Sequence, residues 1–235
     1  MPSISRMKRS RVVVPESASN AAAQVYDRLR TEIVSLRMEP GATVNRLKLQ
    51  RQFGLSSTPV RDALMRLGEE GLVEIVAQSA TRVSLIDIDK ARQAQFLRRA
   101  LELEVVETIC ASADRTVAQE LRSLIQQQTH AAMREDLSLF DDIDREFHRS
   151  LFDAVGMAGL FHLVRRQSGH IDRIRRLHLP HSGKMQEVIR DHGRIVKALV
   201  AGDAAAAGQA MRDHLSQSLA YSPRLREQHP GYFKP

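Results

Sequence analysis

The sequence predicts a mainly α-helical chain: an N-terminal winged helix-turn-helix with a small β-hairpin wing, then an antiparallel six-helix bundle. Three observations carry this. Apolar residues recur at helical spacing along most of the chain, and only two short stretches, 72–76 and 82–85, read as strands. Aromatic residues are 4% and Trp is absent, while the helix formers Ala, Leu, Arg and Gln abound. At 43% hydrophobic, the chain has enough apolar surface to bury a core, which excludes wholesale disorder.

The chain opens on a Ser-rich stretch, 1–20, without periodicity and with Arg6, Lys8, Arg9 and Arg11. It reads as a disordered basic arm, which can add salt-dependent phosphate contacts. Residues 21–36 place Val25, Leu29, Ile33 and Leu36 on one helix face, and Pro40-Gly41 then breaks the chain. Residues 46–53 form a short helix capped by Asn45 and stopped by Gly54. Thr58-Pro59 suits the start of the next helix, which ends at Gly71. The two strand-like stretches follow, turning at 78–80. Residues 21–86 thus form one DNA-binding-sized unit.

Residues 87–226 read as six helices, about 87–113, 116–135, 137–155, 158–178, 184–201 and 203–225, with 227–235 left as a tail. The short connections favour antiparallel neighbours.

Charge and composition narrow the function. The net charge is +7, and residues 1–85 hold 13 Lys/Arg against 8 Asp/Glu, so the basic excess lies mostly in the first third. A polyanion is the partner this implies. No apolar run is long enough for a membrane span, no signal peptide is legible, and the single Cys110 forms no internal disulfide; together these point to the cytoplasm.

A DNA-reading helix needs short or polar residues at its N-terminus that reach base edges. Ser56, Ser57, Thr58 and Arg61 stand there, Arg66 extends the outward stripe, and Ala63, Leu64 and Leu67 face inward. Arg46 and Lys48 on the preceding helix, with Gln78 and Arg82 in the wing, supply further contacts. A helix-turn-helix monomer covers one half-site, so a homodimer on palindromic double-stranded operator DNA is expected.

In the second unit, Asp144 and His148 are four apart and share a helix face. His192 and His214 lie at or beside the apolar stripes of two later helices. Spacing alone leaves two readings open: three separate core histidines, or a site where one Asp and three His hold a divalent metal.

The runs VYDRLRTEIVSLRMEPGATVN and GLSSTPVRDALMRLGEEGLVE closely resemble the DNA-binding domain of GntR-family regulators across about 23–85. Arg61 matches the family, whereas Ser57 and Leu47 stand where the family often has Arg, and Ala80 replaces the common wing Gly. The resemblance implies DNA binding with an operator that departs from the family consensus, Arg46 or Lys48 taking over phosphate contacts.

Residues 91–220 resemble the FCD domain of the FadR subfamily, and the six-helix count resembles its VanR-like branch. This resemblance implies one divalent metal ion per chain, Zn first with Ni, Mn and Fe also suited, held by Asp144, His148, His192 and His214. It also implies that Arg98, with Glu102, faces a small carboxylate effector that releases a repressor from DNA. Met157, where many members have Asn, alters a loop only. The alternative in another class is a metal-dependent hydrolase using the Asp/His set to activate water.

Overall fold

The computed structural model describes residues 16–75, 80–114 and 116–235. The basic cluster Arg6, Lys8, Arg9 and Arg11, and Gln78 of the wing, lie outside the described residues. The first unit runs α1 (Glu16–Val34), β1 (Thr43–Val44), α2 (Arg46–Phe53), α3 (Ser57–Glu69), β2 (Val73–Ile75) and β3 (Thr81–Val83). The second runs α4 (Ile88–Ala111), α5 (Val117–Met133), α6 (Leu137–Ala154), α7 (Ala158–Gln167), α8 (Gly169–His178), α9 (Lys184–Ala201), α10 (Ala204–Ala220) and α11 (Ser222–Gln228). The architecture is the mainly helical one expected, a small β-wing unit followed by a multi-helix bundle.

Local chemistry explains the first unit. The Asn45 side chain accepts from Lys48 N at 2.9 Å and starts α2, and Gly54, at φ 64°, ends it in the left-handed conformation that glycine adopts freely. α3 starts at Ser57 with Ser56 as its cap residue, where the sequence suggested Pro59 as first residue and Thr58 as cap, a shift of two positions, and Gly71 ends it at φ 72°. Two strands were legible; the described residues form three, in the order β1-β3-β2, because Thr43 and Val44 pair with Arg82 and Thr81. A two-residue strand has too little alternation to be read in advance. Val25, Leu29, Ile33, Val60, Leu64, Leu67 and Val83 form the core of this unit.

In the bundle, two of the six expected helices are each broken in two. The 158–178 helix breaks at Ser168, whose hydroxyl bonds back to Val164 O at 2.7 Å. Gly169 then lets the chain approach the first unit: a Cβ there would meet Leu72 Cδ2 at 2.5 Å. The 203–225 helix breaks before Ser222-Pro223, since Pro has no N–H for an interior helical bond.

The segment read as a tail is part of the fold. Ile86 N donates to Tyr232 O at 2.7 Å, Lys234 N donates to Ile86 O at 2.9 Å, and Phe233 is buried beside Ile86, Ala91, Ile171 and Ile174. The same linker is gripped by α8. Asp87 N donates to His170 Nδ1 at 3.0 Å, and the fully buried Arg173 donates to Ser84 O at 2.6 Å. Among the described residues no helix is long and apolar enough to cross a membrane.

Candidate nucleic-acid interface and metal centre

α3 buries Pro59, Val60, Ala63, Leu64 and Leu67 and leaves Ser57, Thr58 and Arg61 exposed, with the cap residue Ser56 beside them. A groove of about 120 Å³ lies between α2 and α3, lined by Arg46, Gln50, Ser57, Thr58 and Arg61. Arg46 donates to Thr81 Oγ1 at 2.8 and 3.1 Å, which ties α2 to β3. Arg61 makes only a loose 3.7 Å contact with Asp62. Lys48 and Arg82 are exposed away from this groove, and Arg82 reaches Gly41 O at 3.5 Å. Arg66 sits 4.0 Å above the Tyr26 ring, so its guanidinium also serves the packing of α1 on α3. Gln50 was missed in the sequence because a single Gln on a polar helix face carries no signal.

In the bundle, α6 supplies Asp144 and His148, α9 supplies His192 and α10 supplies His214, all buried. One donor atom from each lies within 4.8 Å of the others. Each imidazole has an oxygen near its outer nitrogen. His148 Nδ1 is 2.7 Å from Glu102 Oε2, His192 Nδ1 is 2.7 Å from Gln128 Oε1, and His214 Nδ1 is 3.8 Å from Asp191 Oδ2. The inner nitrogens converge: His148 Nε2 and His214 Nε2 face each other at 3.1 Å, and His192 Nε2 is 3.7 Å from Asp144 Oδ1. Phe147 stacks on His192 with centroids 3.8 Å apart and fixes the ring.

The electrostatics favour the ligand forms. Burial, then Arg98, pushes His148 down to about 4, and burial with His214 holds His192 well below the usual imidazole range. Burial alone would raise Asp144, but Arg175 and then the imidazoles pull it well below the carboxylate range. Asp144 Oδ1 and His192 Nε2 are buried without a hydrogen-bond partner. Two such atoms facing each other are costly unless a cation sits between them. One carboxylate oxygen and three neutral imidazoles suit Zn, Ni, Mn or Fe, so the residues fit a divalent metal.

Arg98 borders this centre, but its Nε is bound to Glu102 Oε1 at 2.5 Å. Glu102 is therefore held between Arg98 and His148, and burial is outweighed by those two partners, so that its pKa falls to about 2. Its place is behind His148, where it orients the ring. Gln128, Asp191 and Arg175 were missed in the sequence: they are single polar residues inside ordinary helical patterns, and only the fold brings them to the histidines. A larger cavity of about 600 Å³ between α4, α5 and α6 touches none of Asp144, His148, His192 and His214.

Residues 93–217 match the FCD domain, and residues 21–83 match the bacterial regulatory proteins of the gntR family. The chain belongs to the GntR family and carries an FCD domain. An uncharacterized HTH-type transcriptional regulator in an unstable DNA locus of Streptomyces ambofaciens is 34% identical, over 89% of this chain and 88% of the relative. The HTH-type transcriptional repressor RspR of Escherichia coli is 27% identical, over 89% and 92%. The fold is shared with solved structures of E. coli McbR/YncC (TM-score 0.74, 21% identity, covering 87% of this chain and 98% of that one). It is also shared with a putative GntR regulator from Rhodococcus sp. RHA1 (TM-score 0.71, 21% identity, covering 92% and 100%). Membership makes this regulator a ligand-responsive DNA-binding protein and supports a regulatory, non-enzymatic role over the hydrolase alternative.

Proposed function

We propose that this regulator is a cytoplasmic repressor that binds a palindromic operator as a homodimer and is released by a small carboxylate taken up beside a divalent metal, Zn first. The observation that carries the reading is the pair of orphaned atoms, Asp144 Oδ1 and His192 Nε2, beside the facing nitrogens of His148 and His214. A metal held by these four residues supplies a positive centre for a carboxylate oxygen. Residues 21–86 are the reading head and 87–226 the effector domain. Ser56, Ser57, Thr58 and Arg61 face base edges, Arg46, Lys48 and Arg82 the backbone, and the basic arm adds phosphate contacts. The FadR subfamily, VanR-like branch, is the placement that the sequence resemblance favours.

α8 is the element suited to carry the response. Arg175, near its C-terminal end, is ion-paired to Asp144 and, with Arg98, lines a small cavity of about 20 Å³ beside the metal centre. Its N-terminal end bears Gly169 against Leu72, His170 on Asp87, and Asp172 paired at 2.9 Å with Arg165. Arg30 of α1 joins this group, donating to Arg165 O and, at 2.9 Å, to Glu70 at the end of α3. An acid carboxylate competes with Asp144 and Glu102 for Arg175 and Arg98. A shift of α8 that follows changes the seat of the reading head and the population that fits the operator.

The test is operator binding by metal-loaded protein, measured by fluorescence anisotropy, with carboxylates first selected in a thermal-shift screen. The reading requires that an acid which stabilises the protein also weakens operator binding. Stabilising acids that leave DNA affinity unchanged would remove the coupling.

A further inference from the structure

Beside the metal centre, a cavity of about 20 Å³ is lined by Gln95, Arg98, Arg175, Lys184, His214 and Gln217, among others. Two of its three cations have deeply buried carboxylate partners: Arg98 has Glu102, and Arg175 has Asp144. Lys184 does not. It is 5% exposed at the first position of α9, where Gly183 provides no side-chain cap. Its ammonium donates to the neutral amide oxygen of Gln217, and at 3.0 Å to Glu187, whose side chain is 42% exposed. Among the described residues, the carboxylate that meets this buried ammonium is one that stands half in water. An ammonium has three donors and no acceptor, and two acceptors meet this one.

Lys184 is also wired to the centre. Gln217 accepts from Lys184 and donates through Nε2 to Asp191 Oδ2 at 2.6 Å, and Asp191 Oδ2 is 3.8 Å from His214 Nδ1. In this closed cavity Gln217 occupies the place on Lys184 that a ligand oxygen could take.

We propose that Lys184 is a second recognition point of the effector site and selects polar acids that carry an oxygen acceptor, hydroxyl or carboxylate, at the end away from the first carboxylate. The inference rests on the carboxylate-effector reading above and deepens it. One acid carboxylate lies at Arg98 and Arg175. The distal oxygen replaces Gln217 on Lys184 and completes the compensation of the buried charge. An aromatic or fatty acid would instead lay apolar surface on a buried ammonium, and is selected against.

The experiment is isothermal titration of the metal-loaded, full-length chain with butyrate, 4-hydroxybutyrate and succinate, with benzoate and octanoate as apolar acids. Wild type, Lys184→Met and Lys184→Gln are compared, each checked for folding by thermal melting. Succinate or 4-hydroxybutyrate is expected to bind wild type at least about tenfold more tightly than butyrate, the scale of one charge-assisted hydrogen bond. Which of the two binds more tightly distinguishes a carboxylate from a hydroxyl. Both variants should lose this preference, and Lys184→Met, which removes the ammonium from the apolar end of butyrate, should not weaken butyrate binding. Equal binding of all three four-carbon acids to wild type, or a preference that persists in both folded variants, overturns the proposal. Binding of benzoate or octanoate without the polar acids overturns it and leaves the carboxylate reading standing. If none of the five acids binds, the carboxylate reading falls, and the role of Lys184 with it.

Discussion

Each buried imidazole of the candidate metal centre has one nitrogen turned toward an oxygen and the other turned inward, and histidines outside it are also held by defined partners. His170 accepts a bond from Asp87 N through Nδ1, and burial followed by Arg173 lowers its pKa to about 3. His178 stacks on Tyr221 with centroids 4.2 Å apart, and burial followed by Lys184 lowers it to about 4. Both remain neutral when folded and take up a proton near the ordinary value of 6.5 when unfolded. Their stability contribution is therefore complete above about 6.5 and declines as pH falls through the window between 6.5 and 3–4. The melting temperature of chelator-treated protein should drop steadily from pH 7 to 5, and His170→Asn should make that slope shallower. At this scale the Asp144, His148, His192 and His214 cluster was legible, because Asp144 and His148 are one helical turn apart and the resemblance pointed to the others. Their oxygen partners were not, since Gln128 stands in a run of three glutamines with nothing local to distinguish it.

Among the elements, α2 and α3 were the most legible, because Asn45, Gly54 and Gly71 mark their ends. α3 presents Arg61 one turn in, with its side chain 66% exposed and only loosely paired. Arg61→Ala should cost about 1–3 kcal/mol of operator affinity, the range for one base-reading arginine, while melting and metal content stay as in wild type. A gel-shift affinity equal to wild type would remove Arg61 from the interface. The C-terminal segment was illegible: HPGYFKP has no period, and its order comes from pairing with Ile86, which is remote in sequence. Phe233 is 3% exposed there, so Phe233→Ala should cost ~3 kcal/mol in denaturant unfolding, toward the low end for a buried Phe. Pro223 shows the opposite failing. Its signal was present in the sequence, and the α10–α11 break follows from it directly.

For the molecule as a whole, helical periodicity revealed a β-wing unit and a bundle but not how they join. The join depends on contacts between residues far apart in the chain: Gly169 on Leu72, Arg173 on Ser84 and Arg30 on Arg165. Glycine and buried arginine at such a seam look unremarkable in one dimension. The seam matters to the proposed mechanism because α8 touches both the candidate metal centre, through Arg175 and Asp144, and the first unit, through Gly169 and Leu72. All of this depends on Asp144, His148, His192 and His214 being ligands. The direct measurement is elemental analysis of protein purified without chelator, alongside a His148→Ala/His192→Ala double variant that still melts cooperatively. The account predicts roughly one divalent transition metal per wild-type chain and none in the variant, with operator binding retained and the response to carboxylates lost. Wild-type protein free of metal, with no thermal shift on adding Zn, Ni or Mn, would make the four residues a packed polar core and contradict the account.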